Sequence, residues 1–280
     1  MMKIKVIGDS CLDLNEELKK KKLFNIVPLS IRIDDKEFKD DENLDTNELL
    51  KMMKNSSDVP KTSSPAPDSF LKAYEGDEDS IFVVTLSSQL SGTYNSAVLA
   101  KNMYKEKNEH KFIHVFDSLS ASIGETLVGL KILELAKENH TNLEIVEKVN
   151  EYIKEMKTFF YLESLDNMIK AGRINKLVAK VATAFSIKPI MGSTEKGTIR
   201  LVEKVRGSKK AFKRLVEIIG EQGHKLEEKI LGIAHCNSLA KAEKLKEQIK
   251  EKYNFKDIII VEAAGISTVY ANEGGIIIAF

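Results

Sequence analysis

The chain has 280 residues, enough to bury a large core in one domain or in two smaller ones. Its 43 Lys and Arg residues nearly balance its 42 Asp and Glu residues, so the net charge of +1 gives no basis for a nucleic-acid or membrane-surface partner. Two Cys residues are too few for a disulfide scaffold or a four-cysteine metal site, which favours a reducing compartment.

Neither end of the sequence has the pattern of a targeting or membrane segment. The first residues lead directly into the strand-like segment 4–7, which leaves too little room for a signal peptide. The apolar segment 276–280 is much shorter than the ~20 residues that a spanning helix needs. We therefore expect a cytoplasmic protein without stable membrane insertion.

The first half of the chain predicts strands that alternate with helices. Strands are expected at 4–7, 26–33, 81–85 and 112–116, a short helix at 46–53, and further helices at 95–102, 124–138 and 144–157. Such alternation is typical of parallel βα units. Ser10 or Asp13 is the expected N-cap of a helix around Leu18, and Asp45 or Thr46 that of the helix that follows.

The aromatic segment 159–162 predicts the first strand of a second unit, which gives domains at 1–158 and 159–280. Further strands are expected at 187–191, 198–205, 230–235, 257–263 and 276–280, and helices at 166–170, 179–185, 208–219 and 238–251. The segment 192–197 predicts a hairpin turn between the first two of these strands.

The segment 86–94 is the feature around which the rest of the chain is organised. A buried strand runs into it and a helix follows, and between them stand Ser91, Gly92 and Thr93. The first N–H groups of a helix lack partners and the helix dipole is positive there, so an anion is favoured. Gly92 lets a ligand approach the backbone closely. The segment predicts a cradle for phosphate or carboxylate, or a helix cap only.

Two further hydroxyl-rich turns follow predicted strands, at Asp9-Ser10 and at Asp117-Ser118. The carboxyl ends of parallel strands lie at one edge of a sheet, where ligands bind. We therefore expect these turns to converge with Ser91, and Thr62 and Ser63 to join them from a loop. The alternative is that each polar residue only caps its own helix.

The sequence lacks the motifs of several enzyme classes. The chain has no phosphate-loop motif, no dinucleotide-binding Gly pattern and no Gly-x-Ser-x-Gly elbow, and none of its five His residues stands in a triad context. An acyl- or phosphoryl-transfer enzyme that uses Ser91 as nucleophile, or a metal near Asp9 and Asp117, remains as an alternative.

The run 204–214 is strongly basic and contains Lys204, Arg206, Lys209, Lys210, Lys213 and Arg214. It forms either a solvated helix face or a functional surface. Arg206 at the mouth of a site would bind a carboxylate or phosphate in a bidentate manner, and the outer lysines would dock an acidic partner.

A set of short motifs spans nearly the whole chain: Asp9 to Leu14, Thr62 to Pro65, Leu86 to Ala97, Asp117-Ser118, Leu162 to Leu165, Lys170 to Ile174, and Lys188 to Ile190. In their identity and order they resemble the DegV family. The combination of Ser91, Gly92, Thr93 and Tyr94 with the Thr62-Ser63 loop is the most specific part of the resemblance.

The resemblance implies an α/β protein with a parallel-sheet N-terminal domain, a second α/β domain with a mixed sheet, and a ligand site between them. It implies no catalytic residue, no metal and no cofactor, but a long-chain fatty acid whose tail lies in a tunnel. Its carboxylate would be held by Thr62, Ser63, Ser91, Gly92, Thr93 and Arg206. Some family members present the fatty acid to a separate kinase, which would dock here on the basic run 204–214.

One position departs from the family pattern. Better-studied members have a His in a Gly-x-His-x-Gly-Pro-Gly stretch near the C-terminus, and here Tyr270 stands at the matching place. A tyrosine hydroxyl can donate a hydrogen bond but is uncharged at neutral pH. We therefore expect Tyr270 to line the head-group site without contributing charge.

Overall fold

The computed structural model describes residues 3–108, 110–174 and 187–280. In this part of the chain, strands form three sheets with helices packed around them. The strands are β1 (Ile4–Asp9), β2 (Asn25–Val27), β3 (Ser30–Ile33), β4 (Lys36–Lys39), β5 (Lys61–Ser63), β6 (Ser80–Thr85), β7 (Phe112–Asp117), β8 (Thr158–Tyr161), β9 (Ile187–Ser193), β10 (Ile199–Arg206), β11 (Ile230–His235), β12 (Asp257–Glu262) and β13 (Ile276–Ala279).

Helices connect most of these strands. They are α1 (Glu16–Lys20), α2 (Thr46–Asn55), α3 (Pro67–Ala73), α4 (Thr93–Lys105), α5 (Ile123–Lys137), α6 (Asn142–Glu155), α7 (Asp166–Lys170), α8 (Ser208–Gln222), α9 (Leu239–Lys250) and α10 (Gly265–Ala271), with a short 3₁₀ turn at Leu226–Glu228. The helix predicted at 179–185 lies outside the described residues. None of the described helices combines the length and apolar character needed to cross a bilayer.

The first sheet is entirely parallel, with the strand order β2-β1-β6-β7. Its central strands carry runs of apolar residues that are buried on both faces, such as Val6 and Ile7 in β1 and Phe82 and Val83 in β6. Helices cover both faces of such a sheet, so continuous apolar runs form its strands. The predicted parallel sheet is confirmed.

The second sheet is mixed, with the order β10-β9-β8-β13-β11-β12. Only β11 and β12 pair in parallel, and the other neighbours are antiparallel. The predicted hairpin joins β9 to β10 through a turn at Thr194, where Gly197 adopts φ +80°. The strands of the first sheet therefore precede residue 118 and those of the second begin at Thr158, and the boundary at 158/159 remains a prediction.

A small antiparallel sheet, β4-β3-β5, corrects two expectations. The single strand expected at 26–33 divides at Pro28, so that β2 joins the first sheet and β3 joins the small one. Proline has no N–H for a ladder hydrogen bond, and the chain leaves the sheet there. The expected loop at Thr62 and Ser63 is the strand β5, in which Thr62 pairs with Ile31.

The N-cap of α1 is Asn15, whose Oδ1 accepts the N–H of Leu18 at 2.9 Å. The prediction of Ser10 or Asp13 at this place was wrong, because both side chains are buried among other loops. Asp45 caps α2 as predicted, with its Oδ1 2.8 Å from the nitrogen of Asn47. A short polar side chain predicts a cap only where the backbone leaves it at the helix start.

Helix α5 packs between the two larger sheets and joins them into one core. Ile123, Leu127 and Val128 on this helix are buried against Phe82 and Phe116 of the first sheet. The same cluster includes Ala234, Val261 and Ala279 from the second sheet. The two sheets therefore share apolar packing through α5 instead of meeting only at a polar interface.

Gly232 of β11 tests this packing. A methyl group at Gly232 would come within 2.9 Å of the Cδ1 of Ile123 and even closer to its Cγ1. Overpacking of this kind costs about 1–3 kcal/mol, so Gly232→Ala should lower the free energy of unfolding in urea by that amount. Combining Gly232→Ala with Ile123→Ala should cost less than the sum of the single changes, and strict additivity would contradict the contact.

Candidate functional site

A narrow cavity lies between the carboxyl edge of the first sheet and one face of the second. Its walls are largely apolar and include Leu29, Leu86, Phe160, Met168, Ile266 and Ile277. The space between the walls is about 890 Å³ with the open mouth included. A lining of this kind suits an apolar ligand.

Polar groups gather where Thr62, Arg173 and Tyr270 line the cavity. The hydroxyl oxygens of Thr62 and Tyr270 are 2.7 Å apart, so β5 and α10 are hydrogen-bonded across the site. The guanidinium carbon of Arg173 is 5.8 Å from the centre of the Tyr270 ring, a cation–π distance. The cavity thus has one end with a cation and two hydroxyls.

Ser91 belongs to the same polar end. Arg173 Nε donates to the carbonyl oxygen of Leu90 at 3.3 Å, which places the guanidinium beside the Ser91 turn. The Oγ of Ser91 is 3.0 Å from the Oγ of Ser64 and 2.8 Å from the Oγ1 of Thr93. Thr93 is fully buried at the first turn of α4 and holds the Ser91 hydroxyl in place.

The other predicted site residues divide into two groups. Gly92 precedes α4, and a Cβ there would stand 3.3 Å from the Ser64 hydroxyl, a tighter approach than most side chains make. Ser63 is exposed, because side chains alternate along β5 and Thr62 is the one that faces the cavity. Arg206 is exposed at the end of β10 and does not line the cavity.

Two residues of the polar end were not predicted from the sequence: Arg173, which lines the cavity, and Ser64, which contacts Ser91 without lining it. Ser64 was quoted only as part of a motif, although its hydroxyl is the partner of Ser91. Arg173 was likewise named only as part of the Lys170 to Ile174 motif. Gly172 adopts φ +75° after α7, and this left-handed residue turns the chain so that Arg173 reaches back to the Ser91 turn. A Gly-Arg pair directly after a predicted helix end was the available signal.

The three hydroxyl-rich turns converge as predicted, but their carboxylates brace the loops. Asp9 accepts the N–H of Cys11 through Oδ1 and that of Leu86 through Oδ2, both at 2.8 Å. Asp117 Oδ1 accepts the N–H of Ser88 at 3.1 Å. These side chains therefore fix the backbone that carries Ser91.

The only hydrogen-bonding neighbours of the Ser91 hydroxyl in the described chain are Ser64 and Thr93. Both are hydroxyl-bearing residues, and neither is a general base of the kind that activates a serine nucleophile. The arrangement favours donation of hydrogen bonds to a bound anion.

Glu125 of α5 is fully buried beneath the site, and neither of its carboxyl oxygens has a hydrogen bond of good geometry. Donor atoms of Asp9, Cys11 and Glu125 lie within 4.8 Å of one another, so this is the cluster in the described chain that could hold a cation. Asp117, the other residue of the predicted metal site, is outside it. Burial, with the nearby Asp9 and Asp13, raises the pKa of Glu125 well above its ordinary value.

Glu125→Gln should change how stability depends on pH. Glu125 keeps its proton in the folded protein but loses it above about pH 4.3 when unfolded. The wild-type free energy of unfolding should therefore fall relative to that of Glu125→Gln by up to about 1.4 kcal/mol per pH unit above that point, until the folded pKa is reached.

Urea unfolding across this pH range measures the difference. The control is Glu147→Gln, the same substitution at an exposed position of α6. It should leave the pH dependence of the free energy of unfolding as it is in the wild type. If the free energy of unfolding depended on pH in the same way in the wild type and in Glu125→Gln, the conclusion that Glu125 is buried in its neutral form would be contradicted.

Comparison with known proteins places this architecture among related chains. A family profile described as "Uncharacterised protein, DegV family" matches residues 3–280. A DegV domain-containing protein of Streptococcus pyogenes serotype M1 is 35% identical over 278 residues, which is 99% of this chain and 98% of that protein.

Three solved structures share the fold over almost their whole length. A DegV family protein of Ruminococcus gnavus, with vaccenic acid, has 45% identity and a TM-score of 0.95, with 100% of both chains covered. A DegV family protein of Eubacterium eligens loaded with heptadecanoic acid has 32% identity and a TM-score of 0.91, covering 99% of this chain and 98% of that one. The Streptococcus pneumoniae fatty acid kinase (Fak) B3 protein loaded with linoleic acid has 33% identity and a TM-score of 0.91, covering 100% and 99%.

Proposed function

We propose a function from one premise: the chain belongs to the DegV family, whose profile matches residues 3–280. The protein binds a long-chain fatty acid, with the acyl tail in the narrow cavity and the carboxylate at its polar end. The observation that carries this proposal is an apolar cavity in which Arg173 is the one cation among the described lining residues and stands with the hydroxyls of Ser91, Thr62 and Tyr270.

The carboxylate is recognised by charge and by hydrogen bonds. Arg173 supplies the positive charge, and its planar guanidinium suits a carboxylate. Ser91, Thr62 and Tyr270 supply hydroxyl donors, and Tyr270 does so without adding charge. Thr93 and Gly92 shape the turn that presents Ser91. Ser63 and Arg206 are exposed, and we assign the role of the cation to Arg173.

The tail supplies most of the binding free energy. Each buried methylene contributes about 0.8 kcal/mol before the costs of association and ordering. The polar end therefore orients the ligand, and the apolar walls hold it.

The protein acts by carrying or presenting the lipid, without a catalytic step or a cofactor of its own. The hydroxyl neighbours of Ser91 support this role, since they suit a bound carboxylate better than a nucleophile. Solved relatives loaded with fatty acids support it as well. We also propose a bacterial, cytoplasmic setting, which agrees with two free, buried cysteines and with bacterial relatives.

Native mass spectrometry of the purified protein should show the added mass of a fatty acid. Arg173→Ala should weaken fatty-acid binding in a displacement titration by about 10- to 100-fold, because it removes a charge-assisted contact worth about 1.5–3 kcal/mol. Arg206→Ala tests the rival assignment and should change affinity far less. A larger loss in Arg206→Ala than in Arg173→Ala would reverse the assignment, and protein that never binds a fatty acid would remove the function.

A basic surface at the end of β10 and the start of α8 fits an acidic partner. Lys204, Arg206, Lys209 and Lys210 are exposed and form no ion pair with any described residue. Arg214 belongs to a different environment, because Glu203, Glu217 and Glu221 all contact its guanidinium within 2.9 Å. We propose that the surface from Lys204 to Lys210 docks a fatty acid kinase, as the likeness to a fatty acid kinase (Fak) B3 protein suggests.

Reversing the charge at Lys209 and Lys210 to Glu should weaken binding of the kinase protein by about tenfold or more, because complementary charges steer association. Fatty-acid affinity should stay unchanged, since neither side chain lines the cavity. The matched control is Lys105→Glu with Lys107→Glu, two exposed lysines near the end of α4. Equal kinase binding by both double variants, measured by biolayer interferometry, would exclude this surface.

A further inference from the structure

The end of the cavity opposite Arg173, called the far end below, can be located along β8. Thr158 and Phe160 of β8 and Leu162 just beyond it line the cavity, since alternate residues share one face of a strand. The chain then passes through α7 to Arg173. Asn167 of α7 donates to the carbonyl oxygen of Val269, next to Tyr270, at 2.7 Å. The polar end therefore lies past Leu162, and the Thr158 end, about 13 Å away, is the far end.

The wall at this far end is one layer of residues thick. Leu119, Ser193 and Thr198 line the acyl cavity, and the same three residues line a second, larger hollow. Among the described residues, the lining of that hollow includes four cations, Lys154, Lys157, Lys196 and Arg200, and one acid, Glu195. An apolar tail that passed this wall would meet ammonium and guanidinium groups and their water, so the wall separates a favourable environment from an unfavourable one.

Leu119 is held in this wall by an unusual backbone. Its φ of +51° lies in the left-handed region, which a bulky residue rarely adopts. The carboxylate of Asp117 accepts the N–H of Leu119 at 3.1 Å and holds the turn. From the other side, Ser87 Oγ donates to the carbonyl oxygen of Gly197 at 2.8 Å, and a Cβ on Gly197 would lie 3.0 Å from the Cα of Leu119. The hairpin turn and the Leu119 loop are thus packed together.

We propose that Leu119 is the residue that sets the longest acyl chain this protein accepts. This inference rests on the proposed fatty-acid binding. Up to the wall, each added methylene enters an apolar space and raises affinity about fourfold. Beyond it, the terminal methyl must displace Leu119 or enter the basic hollow, so affinity stops rising. A strained non-glycine backbone that persists in a well-packed loop is typical of a functional constraint, here the placement of this side chain.

Leu119→Gly is the sharpest variant, because glycine adopts the same φ without strain while the side chain that closes the cavity is removed. Affinities for a series of saturated fatty acids of increasing length are measured by displacement of a fluorescent fatty acid. The chain length at which affinity stops rising should increase by about two methylenes or more, with each one raising affinity about fourfold. Leu119→Phe fills more of the far end and should move this limit to shorter chains.

Asn139→Gly is the matched control. Asn139 also has a positive φ, +63°, but it is exposed after α5 and does not line the cavity, so its replacement should leave the limit unchanged. An unchanged limit in both Leu119 variants, with fatty acids still bound, would overturn this inference alone. Absence of fatty-acid binding in the wild type would overturn the proposed function as well. Leu119→Phe still decides the question if Leu119→Gly fails to fold.

Discussion

Three buried carboxylates hold the cavity together by accepting backbone N–H groups from distant parts of the chain. Asp9 binds the N–H of Leu86, which leads into the Ser91 turn. Asp13 accepts the N–H of Ala264 at 2.7 Å, and Asp40 accepts those of Gly265 and Ile266 at 2.8 and 2.9 Å. These bonds fix the start of α10, the helix that carries Tyr270, against the first half of the chain. The hydroxyl of Tyr270 can meet Thr62 because this anchoring exists.

The same carboxylates carry a cost that depends on pH. Burial raises the pKa of Asp9 and of Asp13 to about 7 and that of Asp40 to about 6, although the N–H groups that they bind oppose the shift. When the pKa of a carboxyl group is higher in the folded than in the unfolded protein, the free energy of unfolding falls as the pH rises from the unfolded pKa to the folded one. The hydrogen bonds to the loops strengthen over the same range, because an ionised carboxylate is the better acceptor. Ionisation of these carboxyl groups therefore lowers the free energy of unfolding and at the same time strengthens the hydrogen bonds that order the loops of the site.

Much of the fold could be predicted because local pattern and tertiary environment agree. Apolar runs such as 81–85 form the parallel strands, and the Ser91 turn lies at the edge where the sheet exposes its strand ends. Prediction failed where the outcome depends on distant partners. Thr62 reads as a loop between prolines but pairs with Ile31, and Asp13 reads as a cap but accepts the N–H of Ala264. Arg173 enters the site through a left-handed Gly172, and only the folded chain shows where that turn points.

The ligand completes the core of this fold. The cavity lies between loops that are held by the buried carboxylates and a sheet face that packs on α5, and no side chain of residues 3–108, 110–174 or 187–280 fills it. Walls that face a void lose dispersion contacts, and an acyl chain bound as proposed, between Arg173 and Leu119, would restore them. Because only the folded chain offers this cavity, each gain in lipid affinity is also a gain in folding stability. Substitutions of residues that line the cavity should thus change lipid affinity and folding stability together, whereas substitutions in the exposed basic surface should change neither of these two quantities.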